Sequence, residues 1–156
     1  MINDQSHGNI TWVNLQLPTE KEIKKISRRF DLAPHIQREL GQAGSEQRVD
    51  LYPGHIYLRL NFPLLSKQKR SQEVNFLLGP NYLLTAHYDE ISPLLVATKK
   101  FELKKLLARS SPTTTELLFE LLGLLYNSIL ETLKSLDDTL KEIEENQKIG
   151  LMKGEF

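Results

Sequence analysis

An α/β body running into one long C-terminal helix is the fold class the sequence predicts, and three observations predict it. Strand and helix signals alternate through the first two-thirds of the chain, two apolar runs flank Gly79-Pro80-Asn81, and the last third carries a heptad of large apolar residues. The boundary falls at Arg109. Residues 1–109 are expected to form the body, and residues 110–156 an arm helix packed on it that begins a longer helical continuation.

The elements follow in order. Ile10-Thr11-Trp12-Val13-Asn14-Leu15 is β-branched and aromatic and reads as a strand, ended by Pro18. Thr19 and Glu22 have capping-box spacing, in which each side chain satisfies a free backbone N–H at a helix start. That helix runs to about Phe30, with Ile23, Ile26 and Phe30 on one face and Lys/Arg on the other. Pro34 suits the first position of a second short helix carrying Ile36 and Leu40 inward, and Gly41 and Gly44 then break the chain. His55–Phe62 alternates, with Ile56, Leu58, Leu60 and Phe62 on one face. Glu73–Leu78 and Tyr82–Ala86 form a hairpin across Gly79-Pro80-Asn81, and Ser66–Gln72 reads as a polar, basic loop with Lys67, Lys69 and Arg70. Ser92-Pro93 reads as a cap and first-position pair opening a helix through Leu94, Leu95, Phe101 and Leu106. These signals leave the strand order open.

Ser110-Ser111-Pro112 punctuates, Thr113–Thr115 offers caps, and a helix is predicted from about Glu116 to Asn146, roughly 45 Å long. Leu122, Tyr126, Ile129, Leu133, Leu136, Leu140 and Ile143 are spaced alternately by four and three, which is a heptad seam. Leu117–Tyr126 is apolar on more faces and should be buried against the body. The rest of the seam needs a partner helix.

Composition narrows the function. Hydrophobic residues make up 40% and charged residues 26%, an ordinary globular balance. Lys plus Arg and Asp plus Glu both number 20, so the basic excess of a nucleic-acid binder is missing. With no Cys, disulfides, thiolate metal sites and cysteine nucleophiles are excluded. Met1–Ile10 is too polar for a secretory signal, and no stretch reaches the roughly 20 apolar residues of a membrane span. His7, His35, His55 and His87 lack helical metal-site spacing, and there is neither a Gly-rich phosphate loop nor a nucleophile elbow. Asp89-Glu90 reads as the start of the following helix, and Lys104–Arg109 as its wet face. No enzyme is expected.

Several segments, in order, resemble the cytoplasmic domain of CorA-type magnesium and divalent-cation transporters. Thr11-Trp12-Val13-Asn14-Leu15 followed by Pro18-Thr19-Glu20 is similar to the family's opening, and Phe30-Asp31-Leu32-Ala33-Pro34 to its next step. Val49 through Leu60 resembles one of its strands. The fullest likeness is Glu73-Val74-Asn75-Phe76-Leu77-Leu78-Gly79-Pro80-Asn81-Tyr82-Leu83-Leu84-Thr85-Ala86-His87, which resembles the family's hairpin. The Leu-rich helix then matches its first arm helix.

The resemblance implies an α/β/α sandwich, an ion-sensing cytoplasmic domain of a homopentamer, and a chain that continues past Phe156 into two membrane spans. It implies an inner-membrane protein with this domain on the cytoplasmic side, and Mg2+ as the ion, with Co2+, Ni2+ or Zn2+ open. The family's Gln-Arg-Pro survives as Gln47-Arg48-Val49, and its acidic pair at the end of the second helix aligns to Arg38-Glu39. Glu39 is thus the one implied metal ligand, at an interprotomer site. The alternatives are a zinc-transporting member and a free-standing α/β interaction module.

Overall fold

The computed structural model describes residues 1–44, 46–63 and 71–154. Residues 66–70 of the basic loop expected at Ser66–Gln72 lie outside them, while Gln72 opens a strand.

Six strands form one mixed sheet: β1 (Ile2–His7), β2 (Ile10–Gln16), β3 (Arg48–Tyr52), β4 (His55–Phe62), β5 (Gln72–Leu78) and β6 (Tyr82–His87), in the order β1-β2-β6-β5-β4-β3. Only β2 and β6 are parallel, Trp12 pairing with Leu83 and Leu15 with Ala86, while the other neighbours are antiparallel. The described residues also form four helices: α1 (Glu20–Arg29), α2 (Pro34–Gly41), α3 (Ser92–Leu106) and α4 (Thr114–Lys153).

Period-two alternation sends each central strand's side chains into two cores. Val13, Leu15, Tyr57, Leu77, Leu84 and Ala86 pack under α1 and α2 with Ile23, Ile26, Ile36 and Leu40. On the opposite face Ile10, Trp12, Phe62, Val74, Phe76 and Leu83 pack under α3 and α4 with Leu94, Phe101, Leu117, Leu121 and Leu125. Trp12 anchors this second core. Its ring stands edge-on to Phe101 at 5.7 Å, and its Nε1 donates to the Thr85 hydroxyl at 3.1 Å, which donates to Asn14 Oδ1 at 2.7 Å. The result is an α/β/α sandwich, as expected.

Local signals hold where they are strongest. The Thr19–Glu22 capping box is formed in both directions, and Thr113 caps α4 with Glu116 in the same way. Ile36 and Leu40 are fully buried. α4 extends beyond the predicted range, to 40 residues or about 60 Å, ending at Gly154 in the left-handed conformation.

Four details differ from expectation. β1 was not foreseen, because Ile2-Asn3-Asp4-Gln5-Ser6-His7 lacks an apolar face; it is held by its ladder to β2. Its turn places Gly8 at φ +60°, where a Cβ would meet the Ser111 side chain. Val49–Leu60 is two strands rather than one, turning at Pro53-Gly54. Ser92 does not cap α3; Ile91 occupies the cap position without a side-chain bond, Pro93 lies in the first turn, and Asp89-Glu90 precede the helix. β4 is covered on both faces: Tyr57 and Arg59 are buried on one, and on the other Phe62 is buried with Leu58 and Leu60 partly so.

Candidate functional site

A polar cluster lies where the C-terminal end of α2 meets the sheet, and Glu39 is at its centre. Alternation along β4 points Arg59 toward α2, beside Tyr57, with only 7% of its side chain exposed. Register sets Asn75 of β5 opposite Arg59, with Glu73 one pleat further on the same face, 8% exposed. β3 contributes Arg48 and Asp50.

The contacts form a closed circuit. Glu39 Oε1 accepts from Arg48 Nη2 at 3.0 Å, and Glu39 Oε2 from Arg59 Nη2. Arg59 Nε faces Glu73 and Asn75 Oδ1, each at 3.4 Å, and Arg59 Nη2 donates to the Tyr57 hydroxyl at 3.3 Å. Arg48 Nε lies 2.8 Å from Asp50 Oδ2, near enough for an ion pair but not aligned as a hydrogen bond. The Glu73 carboxylate also accepts from the Gly44 N–H at 3.1 and 2.9 Å. Gly44 must be glycine here, because a Cβ would run into the Arg59 guanidinium. Near the end of α2 the single Tyr88 O–H is shared between Glu39 O at 3.2 Å and Leu40 O at 3.1 Å.

Electrostatics follow from this packing. Burial pushes the Glu39 carboxyl up, but the hydrogen bonds and charges of Arg48 and Arg59 outweigh it and hold it below the usual range. Burial pushes the Tyr57 phenol up to about 12 and raises that of Tyr88 as well, so both stay protonated.

A hydrated Mg2+ wants several free oxygens. Here both Glu39 oxygens face guanidinium groups, and Asp50 and Glu73 are likewise engaged. Three carboxylates and two arginines leave the cluster one formal negative charge. The donor set does not fit a divalent cation, and among the described residues no group of three or more His, Asp or Glu is placed to hold one.

Sequence reasoning singled out Glu39 and missed Arg48, Arg59 and Glu73. The available signal was the Tyr57-Arg59-Asn61 phase of β4, a polar phase on a strand flanked by other strands. The histidines stay apart from this cluster. His87 is buried with Nδ1 2.5 Å from Asp89 O, His7 Nε2 lies 2.7 Å from Arg109 O, and His35 and His55 each lie against the Tyr52 ring. Lys104 pairs with Glu120 of α4 at 2.7 Å, so the wet face of α3 is also part of its junction with α4.

The second candidate surface is α4. Leu117, Leu121 and Leu125 are buried on the body, while Tyr126, Leu133, Leu136, Leu140 and Ile143 of the seam are exposed. No helix among the described residues is long and apolar enough to cross a membrane.

A mixed six-stranded sheet between two helical layers, with one helix running far beyond them, defines a body-and-arm domain. The chain belongs to the CorA-like Mg2+ transporter protein family, which matches residues 7–151. The fold is that of the CorA soluble domain. The complete CorA magnesium transporter from Methanocaldococcus jannaschii is 22% identical with a TM-score of 0.74, over 92% of this chain and 46% of that one. The soluble domain of that CorA gives 20% and 0.72, over 91% and 57%. The ZntB cytoplasmic domain from Vibrio parahaemolyticus RIMD 2210633 gives 12% and 0.67, over 85% and 54%. These structures share the fold, and the chain spans about half the length of each. No curated protein matches it in sequence.

Proposed function

We propose that the chain is the cytoplasmic domain of an inner-membrane, homo-oligomeric divalent-cation transporter, with Mg2+ as the ion carried. The observation that carries this reading is the family match over residues 7–151, which includes the body apart from most of β1, and almost all of α4. The role is regulatory and not enzymatic. The sandwich holds the base of α4 rigidly through Leu117, Leu121 and Leu125, so a shift between neighbouring bodies is passed along a helix about 60 Å long. Glu39, the ligand implied by resemblance, could join a cation site between subunits only after Arg48 and Arg59 released it.

The test is uptake. The full natural polypeptide, produced in cells lacking their own Mg2+ importers, should restore growth at low Mg2+ and load proteoliposomes with Mg2+. Uptake of Zn2+ but not Mg2+ would move the protein to the zinc-carrying reading, which the ZntB-like fold supports. A folded, membrane-inserted protein that moves no divalent cation would refute the reading and leave an interaction module.

A further inference from the structure

We propose that in this chain Arg48 and Arg59 take the place of a divalent cation at the end of α2, so that an internal guanidinium pair holds this junction and makes it indifferent to Mg2+. The geometry carries the argument. Each oxygen of Glu39 has its own guanidinium, Oε1 with Arg48 and Oε2 with Arg59. Arg59 is held independently of Glu39 as well, by Glu73, Asn75 and the Tyr57 hydroxyl, and the Gly44 backbone closes over it. Arg48 is the more exposed partner, held by Asp50 and lying 5.3 Å from the centre of the Tyr57 ring. The pair also sits at the negative end of the α2 dipole, where positive charge is favoured. A carboxylate awaiting a metal has no fixed counter-charge; this one has two.

The consequence is a difference in sign. Neutralising a carboxylate that waits for an absent metal relieves repulsion or changes nothing. Neutralising one that holds two arginines strands their charges. In EDTA, Glu39→Gln in the 156-residue chain should therefore lower Tm by about 4–8 °C. Wild-type Tm should be the same in EDTA and in millimolar MgCl2, because an ion bound by the folded state alone would raise it. Should Glu39→Gln fail to fold, Arg48→Gln at the more exposed partner should still lower Tm, and Mn2+ should leave the NMR signals of residues 36–42 in the wild type unbroadened. A Tm unchanged or raised by Glu39→Gln in EDTA would overturn the proposal. So would an Mg2+-dependent rise in wild-type Tm that Glu39→Gln abolishes, or Mn2+ broadening centred on Glu39. The readout is the chain's own stability, so it is independent of the uptake assay.

Discussion

Replacing Leu133 and Leu140 together with Lys should turn a weakly self-associating chain into a strict monomer with an intact body. The seam residues Leu133, Leu136, Leu140 and Ile143 are 55%, 45%, 59% and 48% exposed. Covering what remains of each contributes about 1 kcal/mol. Two seams make poor partners, because six acidic side chains against Lys134 and Lys141 between Glu131 and Glu145 would face one another. The outer face of α3 is a better match. Leu95, Val96, Leu103 and Leu107 are exposed there among Lys99, Lys100, Lys104 and Lys105, with Glu102 as the one acid in the helix. Four residues on each side give about 8 kcal/mol gross. Association costs about 4–15 kcal/mol, so the net is at most about 4 kcal/mol, a Kd of about 1 mM. Two lysines remove about 2 kcal/mol, a weakening of about 30-fold, and add repulsion against α3. Sedimentation equilibrium from micromolar to millimolar protein reads this directly. Added salt should weaken the α3–α4 contact, whereas it would strengthen a seam-to-seam one. A wild-type chain monomeric throughout, or a double variant that associates as well as wild type, would refute the reasoning.

Other perturbations have definite signs. Burial depresses the pKa of His87 against the weaker opposing pull of Asp89, so below pH 6.5 the unfolded chain binds a proton that the folded His87 refuses. Stability should fall with pH through that window, by up to about 1.4 kcal/mol per pH unit, and urea titrations of His87→Gln should show a flatter slope. Leu121→Ala, at a site 1% exposed, should cost about 2–5 kcal/mol in chemical denaturation while leaving the α1–α2 side folded alike. Thr113→Ala, which removes half of the α4 capping box, should cost about 1 kcal/mol, and a loss below a few tenths would deny the cap its role.

What the sequence disclosed was local. Thr19 with Glu22, Pro34, and Gly79-Pro80-Asn81 act within a few residues of themselves, and the structure uses each as its spacing suggests. What it withheld depends on remote partners. β1 is polar and becomes a strand because β2 offers it a ladder. The parallel pairing of Thr11 with Tyr82 joins segments about seventy residues apart, and no turn residue encodes it. Arg59 reads as an outward residue on an alternating strand, and its burial follows only from α2, β5 and Gly44 closing around it. Glu39 was found through resemblance, but its counter-charges lie on two strands that sequence spacing does not connect to it.

α4 shows how one helix serves two partners. Its buried residues, Thr114, Leu117, Leu121 and Leu125, lie on one stripe. Continued at about 100° per residue, that stripe next reaches Ser128, Thr132, Ser135 and Thr139. The Thr132 and Thr139 hydroxyls donate back to Ser128 O and Ser135 O, at 3.0 and 2.9 Å, so this face is polar and satisfied within the helix itself. A second apolar stripe runs about a quarter-turn around the axis; Leu122 and Ile129 of it still pack on the core, while Leu133, Leu136 and Leu140 continue it exposed. A helix meant only to complete the core would keep one stripe. Tail residues folded back on the body in phase with Leu121 would bury hydroxyls, not leucines. Beyond Ile129 the seam therefore points sideways, at a surface the body beneath it does not supply.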